Sequence, residues 1–262
     1  MIEESLAHKI SEASARYLEA VRALRSFLSD VTNSFATMAS EHNELARKFQ
    51  GGRTSVETQE PPPTSGSIRV KFKSEEVKLV RKALDQKAKL IQTYPDLLPR
   101  LGWIYAVALF DGFISDAFMA VLVCRPETMR SSKRQLSYES ILSLQNRSEL
   151  VSFMASREIN EMSYKSIEDQ AHYYRDRFGI DVGQSGVPIA RLAEIRALRN
   201  LLVHNDGIVN RIYLEGLASP RYELGERVKL TSGEVESAVK DLGTVADYVK
   251  RTIISKFKEQ PL

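Results

Sequence analysis

LGWIYAVALFDGFISDAFMAVLVC, residues 101–124, is the stretch on which the fold turns. Arg100 and Arg125 bracket it, and no Lys or Arg falls within its 24 residues. That length and apolarity suffice to span a bilayer. Asp111 and Asp116 stand in its middle, however, and each costs about 2.5–3.5 kcal/mol at a membrane centre. The segment is therefore predicted to be the central core helix of a globular domain, with no membrane partner and a cytoplasmic location. Met1 to Ala20 carries Glu3, Glu4, Glu12 and Glu19, which no secretory signal core tolerates.

Composition agrees with a globular chain. The 262 residues are 43% hydrophobic and 27% charged, with 37 Lys+Arg against 34 Asp+Glu and a net charge of +3. Any nucleic-acid contact must come from a local patch, since no bulk basic field exists. One cysteine, Cys124, rules out an internal disulfide framework and a cysteine-caged zinc. Four histidines, scattered at 8, 42, 172 and 204, argue against a multi-histidine metal site. No cofactor and no metal are expected.

Outward from the core helix the pattern is helical. On the N-terminal side, residues 3–49 read as one long helix or two closely joined ones. Ile10, Tyr17, Leu24, Val31, Met38 and Leu45 recur every seventh position. Ala13, Ala20 and Phe27 accompany the early heptads; Val21, Leu28, Phe35 and Phe49 take over later. A seven-residue apolar repeat fits a coiled coil or a helix packed on its own domain equally well. Gly51 and Gly52 end it. Residues 51–67, GGRTSVETQEPPPTSGS, read as a flexible linker because they lack the apolar surface to offset ordering. The expected organisation is a heptad-patterned N-terminal region over 1–50, a linker over 51–67 and a helical domain over 68–262.

Between linker and core helix, Ile68, Val70 and Phe72 alternate with basic residues, permitting a short strand. Arg69 to Lys89 holds eight basic and three acidic residues, a solvated helix face or a weak RNA-backbone patch through Lys71, Lys73, Arg81 and Lys82. A helix fits 75–93, and Pro95 and Pro99 punctuate the approach to the core helix at about 100–123. Further helices fit 137–144, 147–160, 164–178, 188–205 and 232–257. Thr231 precedes Glu234 by three, the spacing of a capping box. With no glycine-rich phosphate loop after a strand, nucleotide-loop folds fail. The fold class is all-α.

Chemistry concentrates in PIARLAEIRALRNLLVHNDGIVNRIYL, residues 188–214. At about 100° per residue, with Ile195 at zero, Leu192, Leu198, Leu202 and Val203 form an apolar stripe, and Arg199 falls inside it near ~40°. A guanidinium cannot shed its charge, so there it needs a carboxylate, a subunit interface or an anionic ligand. Asp111 and Asp116 are possible partners, in which case the pair merely fixes helix packing. His204 falls beside Asn200 on another face, at the helix end. A histidine there also serves the helix dipole ahead of the Asn205-Asp206-Gly207 turn.

Arg199-Asn200-Leu201-Leu202-Val203-His204 resembles the Arg-polar-x-x-x-His motif of the HEPN superfamily, the higher eukaryote and prokaryote nucleotide-binding domains. Leu192, Glu194 and Ile195 before it, and Asn205, Gly207, Ile208, Val209, Asn210 and Tyr213 after it, are similar to bacterial members. So are Tyr164-Lys165-Ser166 and Phe178-Gly179-Ile180. The resemblance covers about residues 75–257. It implies an α-helical bundle that forms a homodimer or higher homo-oligomer, with both motifs at a shared cleft. It further implies a metal-independent endoribonuclease, an RNA hydrolase of toxin–antitoxin or antiviral-defence type. Arg199, Asn200 and His204 would be catalytic, Asp111, Asp116 and Glu194 supporting, and Arg196 a weaker RNA contact. Histidine suits proton transfer near neutral pH, and arginine suits bidentate phosphate binding. The alternative is a non-catalytic HEPN module binding RNA, nucleotide or a protein partner, with 1–50 docking a regulatory protein. Some HEPN toxins carry a modified tyrosine two residues after the histidine. Asp206 stands there, so that regulation is not carried over.

Overall fold

The computed structural model describes residues 5–51, 74–130 and 135–257. Among them the chain is all-α: eight helices, two 3-10 turns at Pro126–Met129 and Val182–Ser185, and no strand. An isolated antiparallel bridge joins Ile208 to Arg227. The helices are α1 (Leu6–Gly51), α2 (Ser74–Cys124), α3 (Tyr138–Leu142), α4 (Arg147–Ser163), α5 (Ile167–Phe178), α6 (Ile189–His204), α7 (Arg211–Glu215) and α8 (Ser232–Lys256).

Two compact units emerge, one of Met1–Arg25 with Arg100–Leu262 and the other of Ser26–Pro99. The division falls inside the two longest helices, between Arg25 and Ser26 and between Pro99 and Arg100. Nearly all of the 51–67 stretch, with the strand expected at 68–72 and with Lys71 and Lys73, lies outside the described residues. The physical reason is what each helix buries. Leu6, Ile10, Ala13, Tyr17, Val21 and Leu24 of α1 are buried in the first unit. Phe27, which the repeat places next on the seam, is exposed, and Leu28 and Val31 are half-buried instead.

The second unit pairs the later part of α1 with the early part of α2. Phe35 stacks on Tyr94 at 5.1 Å between ring centroids, and Lys87 Nζ meets Glu41 Oε2 at 3.2 Å. One number rises as the other falls, so the pairing is antiparallel. Arg81 and Lys82 belong to this unit, and Lys82 is exposed.

Helix α2 runs through Pro95 and Pro99 without interruption, where the sequence pattern suggests a punctuation. Each proline forfeits one backbone bond, at about 3 kcal/mol or more in a helix interior. Spaced by four, they fall on one helix face, so the missing bonds belong to a single row and the other rows persist.

The core of the first unit forms around the second half of α2. Trp103, Phe113, Phe118, Val121 and Leu122 are buried, each such side chain contributing about 1.5–3 kcal/mol by leaving water. Phe118 packs on both Tyr174 and Phe178 of α5, at 4.0 and 4.8 Å between ring centroids. Burial of the Tyr174 hydroxyl in that stack raises its pKa. Tyr17 of α1 lies 5.3 Å from Phe113. The stretch from Thr93 to Cys124 is long and apolar enough to cross a membrane by composition. Its apolar side chains from Trp103 to Leu122 are largely packed against protein.

Local signals set the remaining ends. Thr231 Oγ1 accepts from the Glu234 amide at 3.2 Å, while the Thr231 amide donates to Glu234 Oε2 at 2.8 Å, closing the capping box at α8. Ser166 accepts from the Asp169 amide at 3.1 Å and starts α5 three residues later than the expected 164, which leaves Tyr164–Ser166 as a turn. Helix α7 is not among the elements expected from the sequence. Asn210 caps it by accepting from the Tyr213 amide at 3.0 Å.

Candidate functional site

Trp103 Nε1 donates to the Ile195 carbonyl at 3.0 Å, a buried bond that locks α6 against α2. Leu192, Ile195, Leu198, Leu201 and Leu202 bury the inner side of α6. Anchoring that side leaves Arg196, Arg199, Asn200 and His204 along the wall of an open cleft of about 830 Å³. Asp111 of α2, the turn Tyr164–Ser166, and Asn210, Ile212 and Tyr213 around α7 complete the lining. The three residues singled out as catalytic thus share one cavity.

The arginine lying in the apolar stripe finds its carboxylate. Arg199 Nη2 donates to Asp111 Oδ2 at 2.8 Å, and Arg196 Nη2 lies 3.5 Å from Asp111 Oδ1. The side chains of Arg196, Arg199 and Asp111 are 14%, 23% and 29% exposed. One carboxylate therefore serves two guanidiniums. Arg199 Nε and Arg196 Nη1 are buried with no hydrogen-bond partner among the described residues. Arg196 Nη2 also donates to the Ser163 carbonyl at 3.2 Å, tying α6 to the end of α4. Asn200 and His204 are exposed, and His204 makes no hydrogen bond or ion pair with a described residue.

Just past His204 the chain turns back sharply. Asp206 has φ 50° and Gly207 φ 74°, and the Gly207 amide donates to the Leu201 carbonyl at 2.9 Å. Two arginines hold the turn. Arg100 Nη2 lies 2.8 Å from Asp206 Oδ1 and Arg227 Nη2 lies 2.7 Å from Asp206 Oδ2. Hydrogen bonds from Arg227 and Arg100 hold the Asp206 carboxyl below its ordinary range. Burial raises the Tyr213 hydroxyl.

Comparison with protein-family models, curated proteins and solved structures finds no match. The site rests on its own geometry.

Other expected residues stand elsewhere. Asp116 is 56% exposed and pairs with Arg16 of α1 at 3.0 Å, so it does not join the cleft. Glu194 faces away, bound by Arg191 at 2.8 Å and near Arg221 at 3.7 Å. No local pattern in the sequence marks the α4–α5 turn or α7 as part of a site. Tyr164-Lys165-Ser166 and Tyr213 enter only as context of a resemblance, and no spacing rule links them to α6. Among the described residues no three His, Cys, Asp or Glu side chains gather as metal ligands.

Proposed function

We propose that the chain is a metal-independent endoribonuclease of HEPN type, acting as a homodimer in toxin or antiviral defence. The observation that carries this reading is the convergence of Arg199, Asn200 and His204 on one open cleft beside Arg196. RNA cleavage by attack of the ribose 2′-OH needs three things at the scissile phosphate: a proton taken, charge stabilised and a proton returned. His204, exposed at the end of α6, serves one proton transfer. Arg199 serves the phosphate charge, and Asn200 orients the phosphate or the histidine. Arg196 and Arg199 line the cleft with positive charge that one shared carboxylate does not fully balance, which supports an anionic ligand there. A second copy of the chain would bring a second motif.

The Asp111–Arg199 pair, formed within one chain, favours a second reading. There the pair only secures α2 to α6, the likeness to the HEPN motif carries no catalysis, and the protein is a helical non-catalytic one, such as a module for RNA, nucleotide or a protein partner. Cleavage of total cellular RNA with EDTA present separates the two. Wild-type protein should leave 2′,3′-cyclic phosphate ends, and His204→Ala and Arg199→Ala, still folded, should leave the RNA intact. Equal cleavage by wild type and His204→Ala would remove His204 from the mechanism. A folded wild type inert on all RNA would select the second reading.

A further inference from the structure

Tyr164, at 91% exposure, is the most solvent-exposed large apolar side chain among the described residues, yet the turn that carries it is tightly held. The buried Gln170 donates from Nε2 to the carbonyls of Met162 at 2.9 Å and Lys165 at 3.2 Å. Ser166 caps α5, and Arg196 grips the Ser163 carbonyl. The same Arg196 contacts Asp111, which binds Arg199. Tyr164 is therefore set in register with the arginine wall through one continuous chain of polar contacts. It lines the same cleft as Arg199, Asn200 and His204, with Lys165 beside it and the exposed Ile212 offering a second apolar surface.

The cleft brings together a planar apolar ring on a rigid mount and a cationic wall. Lys165, Arg196 and Arg199 outnumber Asp111 and Glu168 among its lining charges. An unpaired nucleobase with its phosphodiester has both features, since every base offers a π-face whatever its identity. A duplex keeps its bases stacked inward and cannot present one.

We propose that Tyr164 is the stacking platform for an unpaired nucleobase flanking the phosphate held by Arg199, with Lys165 against the neighbouring backbone, so that the cleft takes single-stranded RNA. This rests on the RNA reading of the same cleft. The test uses full-length protein and a 2′-O-methylated oligouridine carrying 2-aminopurine at one internal position, a probe that 2′-OH attack cannot cleave. Stacking quenches 2-aminopurine emission. Wild type should bind and quench. Tyr164→Ala should lose the quench and bind about 5- to 150-fold more weakly, the range for losing one aromatic stack. Tyr164→Phe, which keeps the ring, should restore both.

If wild type cleaves cellular RNA while Tyr164→Ala binds and quenches as wild type does, the stacking role is overturned and the ribonuclease stands. If wild type neither cleaves RNA nor binds the probe, both fall together. A Tyr164→Ala variant that changes the protein's sedimenting mass but not its binding would assign the ring to a protein contact, again overturning the proposal.

Discussion

Replacing Asp111 by Asn tests whether the carboxylate shared by Arg199 and Arg196 organises the site. Asp116, five residues along the same helix, supplies the internal comparison. Asp111 accepts one charge-assisted hydrogen bond at 2.8 Å and sits 3.5 Å from a second guanidinium. A hydrogen bond to a charged group contributes about 1.5–3 kcal/mol. Asparagine keeps the shape but leaves two mostly buried arginines without a counter-charge. Breaking a fully buried pair costs about 3–5 kcal/mol, and the 29% exposure of Asp111 brings the expectation down to about 2–3 kcal/mol. For a domain of 150–250 residues, 1 kcal/mol moves Tm by about 2–4 °C, so Asp111→Asn should melt roughly 5–10 °C early. Asp116 pairs with Arg16 at side-chain exposures of 56% and 58%, and such surface pairs contribute about 0–1 kcal/mol. Asp116→Asn should move Tm by no more than about 4 °C. Trp103, 1% exposed at the α2–α6 contact, is the chain's one tryptophan, so its emission follows the relevant packing. Equal shifts for the two variants, or an Asp111→Asn shift under about 1 °C, would refute the assignment of Asp111 as the organising carboxylate.

Three further outcomes follow from the same geometry. Gly207→Ala forces a side chain onto a φ of 74° and puts its Cβ 3.0 Å from Arg100 Nη2 and 3.3 Å from Leu202 Cδ2; urea denaturation should show a loss of about 1–2 kcal/mol or more. Thr231→Ala opens the capping box of α8 and should cost about 1 kcal/mol in the same assay, with Thr231→Ser retaining most of it. Because Asp206 is held below its ordinary carboxyl range by Arg227 and Arg100, its protons bind more readily in the unfolded chain. Its contribution is complete above the ordinary value of 3.8 and fades as pH falls through the lower folded value. Stability measured from pH 6 down to pH 3 should show the difference between wild type and Asp206→Asn shrinking toward acid, and a difference that grows would reverse that sign.

Elements whose cause is local are legible in the sequence. The run 232–256 with Thr231 and Glu234 at its head names its own cap. The spacing of Leu192, Ile195, Leu198 and Leu202 names the buried side of α6, and Arg199 stands out as a charge inside it. Where a cause reaches across the chain, sequence pattern falls silent. Asp111 and Asp116 are equivalent in sequence, two acids on one apolar helix. Only the packing of α6 against one side of α2, and of Arg16 of α1 against Asp116, separates a cleft residue from a surface pair. Likewise the heptads of α1 specify an apolar stripe without saying what covers it. Leu6 to Leu24 enter the core of the first unit, whereas Phe35 meets Tyr94 in the second, so one helix serves both units.

By itself, then, the sequence determined the helical character, most helix positions and the internal spacing of Arg199, Asn200 and His204. These depend on interactions within about four residues, where periodicity and capping act. Tertiary structure alone decided that Asp111 is the shared carboxylate, that Tyr164 and Tyr213 line the same cleft as Arg199, and where the chain divides into units. Those choices depend on contacts between residues tens to more than a hundred positions apart, which no local pattern encodes.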